Sequence, residues 1–193
     1  MLVKFPVDVD LVDSRLGFPV VVKTLYGSQG SGVFLCESKK QLKDLIQLVE
    51  VTKGSANIIL QEFIESSKGR DLRVFTIGGR AIACVERNAP EGEFKANYSQ
   101  GGTVKPYEIT PEIEWLAVET SRIFNLDIAG IDLLFDGEHY LVCEANSAPG
   151  FETIEECVDV DVPKEIFHFI RIRLGLFGNN SRVSPEVSRP QIQ

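Results

Sequence analysis

The sequence predicts an α+β fold with mainly antiparallel sheets arranged in two lobes, and three observations lead there. Apolar runs of strand length come in pairs joined by tight-turn residues, as at Gly78-Gly79 and Asp136-Gly137, the pattern of hairpins rather than of parallel crossovers. Segments with helical spacing stand between those pairs, not after every strand. A polar joint, Ser66-Ser67-Lys68-Gly69, separates an earlier set of elements from a later one.

The first strand is Phe18-Pro-Val-Val-Val-Lys23, nearly all apolar and closing on a charge. Gly27-Ser-Gln-Gly30-Ser-Gly32 joins it to a second strand, Val33 to Cys36. Ser38 is placed to cap a helix over about 39–51, with Leu42, Leu45, Ile46 and Val49 on one face. A strand over 58–64 completes the first lobe. Beyond the joint, strands over 71–77 and 80–86 flank Gly78-Gly79, and residues 88–106 read as a long loop. Thr110 and Pro111 open a helix carrying Ile113, Leu116, Ala117 and Ile123. Strands over 128–135 and 140–144 follow, then a helix over 162–174. Residues 176–193 hold two prolines and few apolar groups and are expected to be disordered. The domain division is therefore 1–18 as linker, 19–64 as a lid, 65–175 as the larger lobe and 176–193 as a tail.

Composition excludes some functions. The chain has 193 residues, 44% of them hydrophobic, enough for one substantial core. Its net charge of -8 opposes binding to the phosphates of nucleic acid. Cys36, Cys84, Cys143 and Cys157 are widely spaced with no paired zinc pattern, so buried reduced thiols are expected. No apolar run has the length of a membrane span and Met1-Leu2-Val3-Lys4 does not open a signal peptide, so a cytoplasmic location is expected, with no membrane partner. His139 and His168 have no evident partner.

Two constellations carry chemistry. The glycine loop lacks the Gly-Lys-Ser/Thr of a P-loop, and a strand follows it where a dinucleotide fold has a helix. What remains is a hairpin whose backbone N–H groups could cover a polyphosphate, with Lys23 adding charge; an ordinary turn is the competing reading. The second constellation is Asp132, inside an apolar strand, with Glu144 and Asn146 on one face of the next strand. Two carboxylates and an amide oxygen are hard ligands suited to magnesium or manganese beside nucleotide phosphates. A strand-edge charge and a salt bridge are the plainer account. Between these lie Asp71, Arg73, Arg87, Lys95 and Asn97, whose cations could neutralise a transferred phosphoryl group or simply form surface ion pairs.

The order of the motifs says more than any one of them. Phe-Pro-Val-Val-Val-Lys23, Gly-Ser-Gln-Gly-Ser-Gly32, Gln61-Glu-Phe-Ile64, Gly-Arg-Asp-Leu-Arg73, Glu-Arg87, Phe-Lys-Ala-Asn97, Ala-Gly-Ile-Asp132 and Cys-Glu-Ala-Asn-Ser-Ala-Pro-Gly150 follow one another. This succession resembles the ATP-grasp superfamily and, within it, the RimK-like ligases, a group that includes bacterial ribosomal protein glutamate ligase and the animal N-acetylaspartylglutamate and beta-citrylglutamate synthases. The resemblance covers residues 18 to about 174. It implies an ATP-grasp fold and an ATP-dependent ligase joining a small acid or peptide carboxylate to an amino acid, glutamate in this group, through an acyl phosphate. ATP and two magnesium or manganese ions are the implied cofactors, and a homo-oligomer is left open.

The resemblance also implies roles. Lys23 would contact the ATP phosphates under the loop of Gly27, Gly30 and Gly32. Glu62, Phe63 and Ile64 would form the adenine hinge, and Asp71 would hold the ribose. Arg73, Lys95 and Ala96 count among the nucleotide contacts, Arg87 and Asn97 would face the phosphates and the reacting acyl group, and Asp132, Glu144 and Asn146 match the metal ligands. Only Met1 to Gly17 precede the first strand where such ligases carry a whole N-terminal domain. A truncated product, an isoform, an incompletely read gene or one piece of a split protein is the implication. An ATP-binding regulator or scaffold without turnover is therefore the alternative function, and a ligase of the D-alanine or lysine-biosynthetic type a third.

Overall fold

In the computed structural model, residues 1–3, 6–25, 32–53, 57–94 and 101–176 are described. The first lobe is a four-stranded antiparallel sheet of β1 (Leu2–Val3), β2 (Val20–Thr24), β3 (Val33–Cys36) and β4 (Ile58–Glu62), in the order β1-β4-β2-β3. Alternation turns Val20 and Val22 of β2, with Ile58 and Leu60 of β4, toward one side. There they meet Leu42 and Ile46 of α2 (Lys39–Lys53) and Val9 and Val12 of α1 (Val9–Leu16). Each such side chain removed from water stabilises the lobe by roughly 1.5–3 kcal/mol before entropy is counted.

Both helices begin as their sequences direct. Ser38 Oγ accepts from Gln41 N, and the Gln41 side chain accepts in turn from Glu37 N, a near relative of the capping box. The described residues of the segment expected as linker, 1–3 and 6–18, pack with this lobe. Leu2 and Val3 pair with Ile59 and Ile58 of β4. Asp8 caps α1 by accepting from Asp10 N and Leu11 N, and Val9, Val12 and Leu16 pack into the core.

The second lobe is a five-stranded antiparallel sheet of β5 (Arg70–Ile77), β6 (Arg80–Asn88), β7 (Thr103–Pro106), β8 (Ile128–Asp136) and β9 (His139–Asn146), in the order β7-β6-β5-β8-β9. Residues 88–106 are thus shorter as a connection than the sequence suggests. β6 continues to Asn88, and β7 returns beside it with Asn88 opposite Thr103 and Val85 opposite Pro106. One face of the sheet, with Leu72, Val74, Ile131 and Leu133, is covered by α3 (Pro111–Ile123) through Ile113 and Ala117. Thr110 caps that helix by accepting from Ile113 N. The other face carries the polar groups described below and is closed at one end by α4 (Glu152–Cys157), which packs on β6 and β7.

A short 3-10 turn, Glu65–Ser67, links the lobes at the polar joint. Ser66 Oγ donates to Phe135 O, while buried Ser67 donates to Arg70 O and accepts from Phe135 N, so the joint is tied to the end of β8. From Asp161 the chain forms a second unit, in which α5 (Val162–Arg173) is capped by Asp161 and carries Arg171 and Arg173 in its last turn, where cations oppose the helix dipole. The expected disordered tail, apart from its first residue, lies outside the described residues. No helix among the described residues is long and apolar enough to cross a membrane. Among them the four cysteines are free, Cys36 and Cys84 being buried and Cys143 and Cys157 half-buried. His139 does have a partner: its Nδ1 lies 3.3 Å from Glu112 Oε1.

Candidate nucleotide and metal site

A cleft of about 1280 Å³ lies between the two sheets. Its walls are apolar where Val21, Leu60, Leu134 and Leu141 line it, and it becomes charged at Asp71 of β5, Arg87 of β6, Asp132 in the middle of β8 and Glu144 of β9. Antiparallel register creates this charged part. Asp71 stands opposite Arg87, Arg73 opposite Asp132, and Asp132 opposite Glu144, so one row of side chains crosses four strands on a single face. Asn146, opposite Gly130, continues the row along β9.

The row is locked by charge-assisted bonds. Arg73 grips Asp132 with two, Nε to Oδ1 at 2.8 Å and Nη2 to Oδ2 at 2.7 Å. Arg87 grips Asp71 the same way, with both distances 2.7 Å, and spends a further contact of 2.8 Å on Asp132 Oδ2. Such forked pairs fix geometry as well as charge. Burial raises the pKa of Asp132, but Arg87 and Arg73 outweigh it and hold the carboxyl below its ordinary value. Asp71 has only a share of one guanidinium, so burial prevails and its pKa rises to about 6. Burial alone would lower Arg87, yet Asp132 and Asp71 raise it, so it keeps its charge.

Lys23 reaches the cleft from the end of β2. Its Nζ donates to Cys143 Sγ at 3.4 Å and stands 3.9 Å from Glu144 Oε2. Cys143 can face it because β9 bulges there: Asp132 pairs with Glu144 but Leu133 pairs with Val142, leaving Cys143 as the extra residue. Burial raises the pKa of this thiol more than Lys23 lowers it. At the opposite end Glu62, Phe63 and Ile64 line the cleft as β4 leaves the first sheet. The Phe63 ring meets Phe94 edge to face, with centroids 6.5 Å apart.

The structure therefore brings Lys23, Glu62, Phe63, Ile64, Asp71, Arg73, Arg87, Asp132, Glu144 and Asn146 to one cavity. Gly32 serves the hairpin itself. Its φ is +79°, Thr24 N donates to its carbonyl, and a Cβ there would stand 2.1 Å from Thr24 Oγ1. Gly27, Gly30, Lys95, Ala96 and Asn97 lie outside the described residues. Surface ion pairs, one reading of Asp71, Arg73 and Arg87, are not what forms: their side chains are 15–18% exposed and bond across the strands. Sequence reasoning did not single out Cys143, Phe94 or Ser67 as lining residues. Ser67 had a signal in its place in the polar joint, and Phe94 and Cys143 as the first residues of two of the quoted motifs.

Three hard oxygen donors, Asp132, Glu144 and Asn146, suit magnesium by chemistry and share a face. Among the described residues no three His, Cys, Asp or Glu side chains converge as a ready-made cage. Beside the three donors, Lys23, Arg73 and Arg87 offset Asp71, Asp132 and Glu144, while Glu62, Arg70 and Glu152 also line the cleft.

Comparison with known proteins gives the same direction. A protein of Trichodesmium erythraeum named probable alpha-L-glutamate ligase is 42% identical over 166 residues, covering 86% of this chain and 54% of its own length. The chain spans about half the length of the curated relatives it matches. Among solved structures, the ATP-grasp ligase PsnB complexed with a phosphomimetic variant of its minimal precursor, Mg and ADP superposes with TM-score 0.65 at 21% identity, covering 88% of this chain and 51% of that one. The D-alanine–D-alanine ligase of Bacillus anthracis complexed with ATP gives 0.68 at 17% identity, covering 91% and 62%. At such identities these two show a shared fold. Residues 2–170 match the RimK-like ATP-grasp domain, and the chain belongs to that family.

Proposed function

We propose that this chain is the nucleotide-binding and catalytic part of a carboxylate–amine ligase that adds glutamate to an acid or peptide acceptor. The observation that carries the reading is Asp132 held between Arg73 and Arg87, on the sheet face it shares with Glu144 and Asn146. The glutamate ligase name of relatives at about 42% identity supports the amino acid.

In this reading the adenine lies against the Glu62–Ile64 hinge, with Phe63 and Phe94 as an apolar wall, and the ribose hydroxyls reach Asp71, whose oxygens have lone pairs beyond those given to Arg87. The triphosphate runs toward Lys23, which exchanges a weak thiol contact for phosphate. Asp132, Glu144 and Asn146 would hold magnesium, which when bound draws charge from the phosphate oxygens and aligns them. Manganese in its place and the presence of two ions belong to the same proposal.

The acceptor carboxylate attacks the γ-phosphorus, the bond to the β-phosphate oxygen breaks, and an acyl phosphate and ADP result. Arg87 stabilises the charge moving onto the leaving oxygens, since its guanidinium is held in place and cannot lose its proton. The glutamate amine, deprotonated, then attacks the acyl carbon, and phosphate departs with the amide formed. For Asn97, outside the described residues, a role toward the acyl group rests on the resemblance of its motif alone.

The direct test is mass spectrometry of the 193-residue chain incubated with ATP, magnesium, glutamate and a panel of acids and acidic peptides. Magnesium-dependent ATP binding with weak or absent product is expected of this chain alone, which spans about half the length of its relatives, and ADP with a glutamylated product in equal amounts once the N-terminal part of such a relative is supplied. ATP binding with no product even then would favour a nucleotide-binding role without turnover. A folded chain that binds no ATP would overturn the reading.

A further inference from the structure

We propose that Gly130 is a positioning residue for the metal end of the cleft, because its missing side chain lets Pro149 lie on the sheet and so fixes the turn that carries Asn146. The inference rests on Asp132, Glu144 and Asn146 being the magnesium-holding set.

Gly130 sits two residues before Asp132 on β8, so alternation puts it on the cleft face, with Asn146 of β9 and Phe75 of β5 as its neighbours across the ladder. Its backbone is not in the left-handed region, so the need for glycine here is one of space. A Cβ at position 130 would stand 2.9 Å from Pro149 Cβ, well inside the distance of about 3.5–4.0 Å at which carbons rest. It would also stand 3.7 Å from Cδ and Nε of Arg73, an ordinary contact. The strain of any side chain would thus fall on Pro149, not on Arg73. A proline ring has no rotamer by which to swing away. Only movement of the backbone can relieve the clash.

That backbone is short and pinned. Asn146 Oδ1 accepts from Ala148 N at 2.9 Å, closing a turn directly ahead of Pro149. Beyond it, Phe151 packs edge-on against Phe75 with ring centroids 6.3 Å apart, and Ile154 is buried. With residues 151–154 anchored downstream, a displaced Pro149 moves the turn at Asn146, three residues upstream, away from Asp132 and Glu144. Gly130 would therefore act on metal-dependent nucleotide binding and leave the hinge, at the other end of the cleft, unaffected.

The test is calorimetric titration of ATP, with and without magnesium, into the parent, Gly130→Ala, Pro149→Gly and the double variant. In Gly130→Ala the gain in affinity due to magnesium should shrink by about tenfold or more, as for other supports of metal ligands, while metal-free affinity holds. In the Pro149→Gly background the same alanine should cost less than about twofold, because the atom it strikes is gone. Equal losses in both backgrounds, or no loss in the parent background, would overturn the proposal. Should Gly130→Ala alone not fold, the double variant decides: folded and matching Pro149→Gly supports the proposal, unfolded or tenfold weaker refutes it. A parent that gains no affinity from magnesium would remove the metal reading, and this inference with it.

Discussion

The two sheets approach the cleft by opposite means. The four-stranded sheet has an apolar core and sends one cation, Lys23, across the gap to a thiol at 3.4 Å and a carboxylate at 3.9 Å, contacts too long to hold it firmly. The five-stranded sheet presents two arginines and two aspartates joined by five hydrogen bonds between 2.7 and 2.8 Å. One side can follow a ligand; the other is built before the ligand arrives. Preorganised charge suits the stabilisation of a transferring phosphoryl group, since it needs no rearrangement during reaction. A loosely held lysine suits the capture of a flexible polyphosphate.

The difference is broken most severely at its centre. Asp132→Ala should destabilise the fold by about 3–5 kcal/mol, because Arg73 loses both bonds and Arg87 one while their charges remain buried. Urea denaturation measures this, and a shift under about 1 kcal/mol would mean that the network is solvated and behaves like surface pairs. Glu144→Ala separates ligand role from stability. Its side chain is 52% exposed and its ion pair long, so the fold should change by no more than about 1 kcal/mol. Magnesium-dependent ATP affinity should still fall, by about 10–100-fold. Equal ATP affinity in parent and variant, both with and without magnesium, would remove Glu144 from the metal set.

Lys23→Ala probes the adaptable side. A lysine that meets only the outer phosphates has little to offer AMP, so ATP affinity should drop by roughly 1.5–3 kcal/mol, the range for a charged hydrogen bond, with AMP affinity nearly constant. An equal loss for both nucleotides would move Lys23 to the α-phosphate or to a structural role.

How much of this was legible in the sequence follows the same division. Hairpins were readable because their turns are local: Gly78-Gly79 and Asp136-Gly137 sit where the chain reverses. That Asp71 and Arg73 share a face was readable from alternation. That Arg73 clasps Asp132, 59 residues away, was not, since it depends on β5 pairing with β8 in one register. The bulge that turns Cys143 toward Lys23 is likewise a product of pairing. β7 escaped notice because Thr103–Pro106 is mostly exposed and becomes a strand only beside β6. α1 was legible and missed: Asp8 as cap, Val9, Val12 and Leu16 at helical spacing and Gly17 as stop are all present, diluted by Asp10, Asp13 and Arg15.

Asp71 offers the smallest effect and the finest test of the contrast, because it is the member of the network with the least compensation. Its pKa is raised from 3.8 to about 6, burial outweighing its single shared guanidinium. Between those values the folded chain holds more protons than the unfolded one, so stability must fall as pH rises through the window and recover as pH is lowered toward about 4. Asp132 works in the other direction and elsewhere. Its lowered pKa contributes stability above the ordinary carboxylate value that is lost only below it, so the two windows do not overlap. Asp71→Asn keeps the shape and a bond to Arg87 without a titrating proton. The difference in urea midpoint between parent and variant should therefore change between pH 4 and 6, with a slope on the order of 1 kcal/mol per pH unit at most. A difference constant across that range would mean that Arg87 compensates Asp71 as fully as two arginines compensate Asp132, and the network would then be uniform in its charge rather than weakest at Asp71.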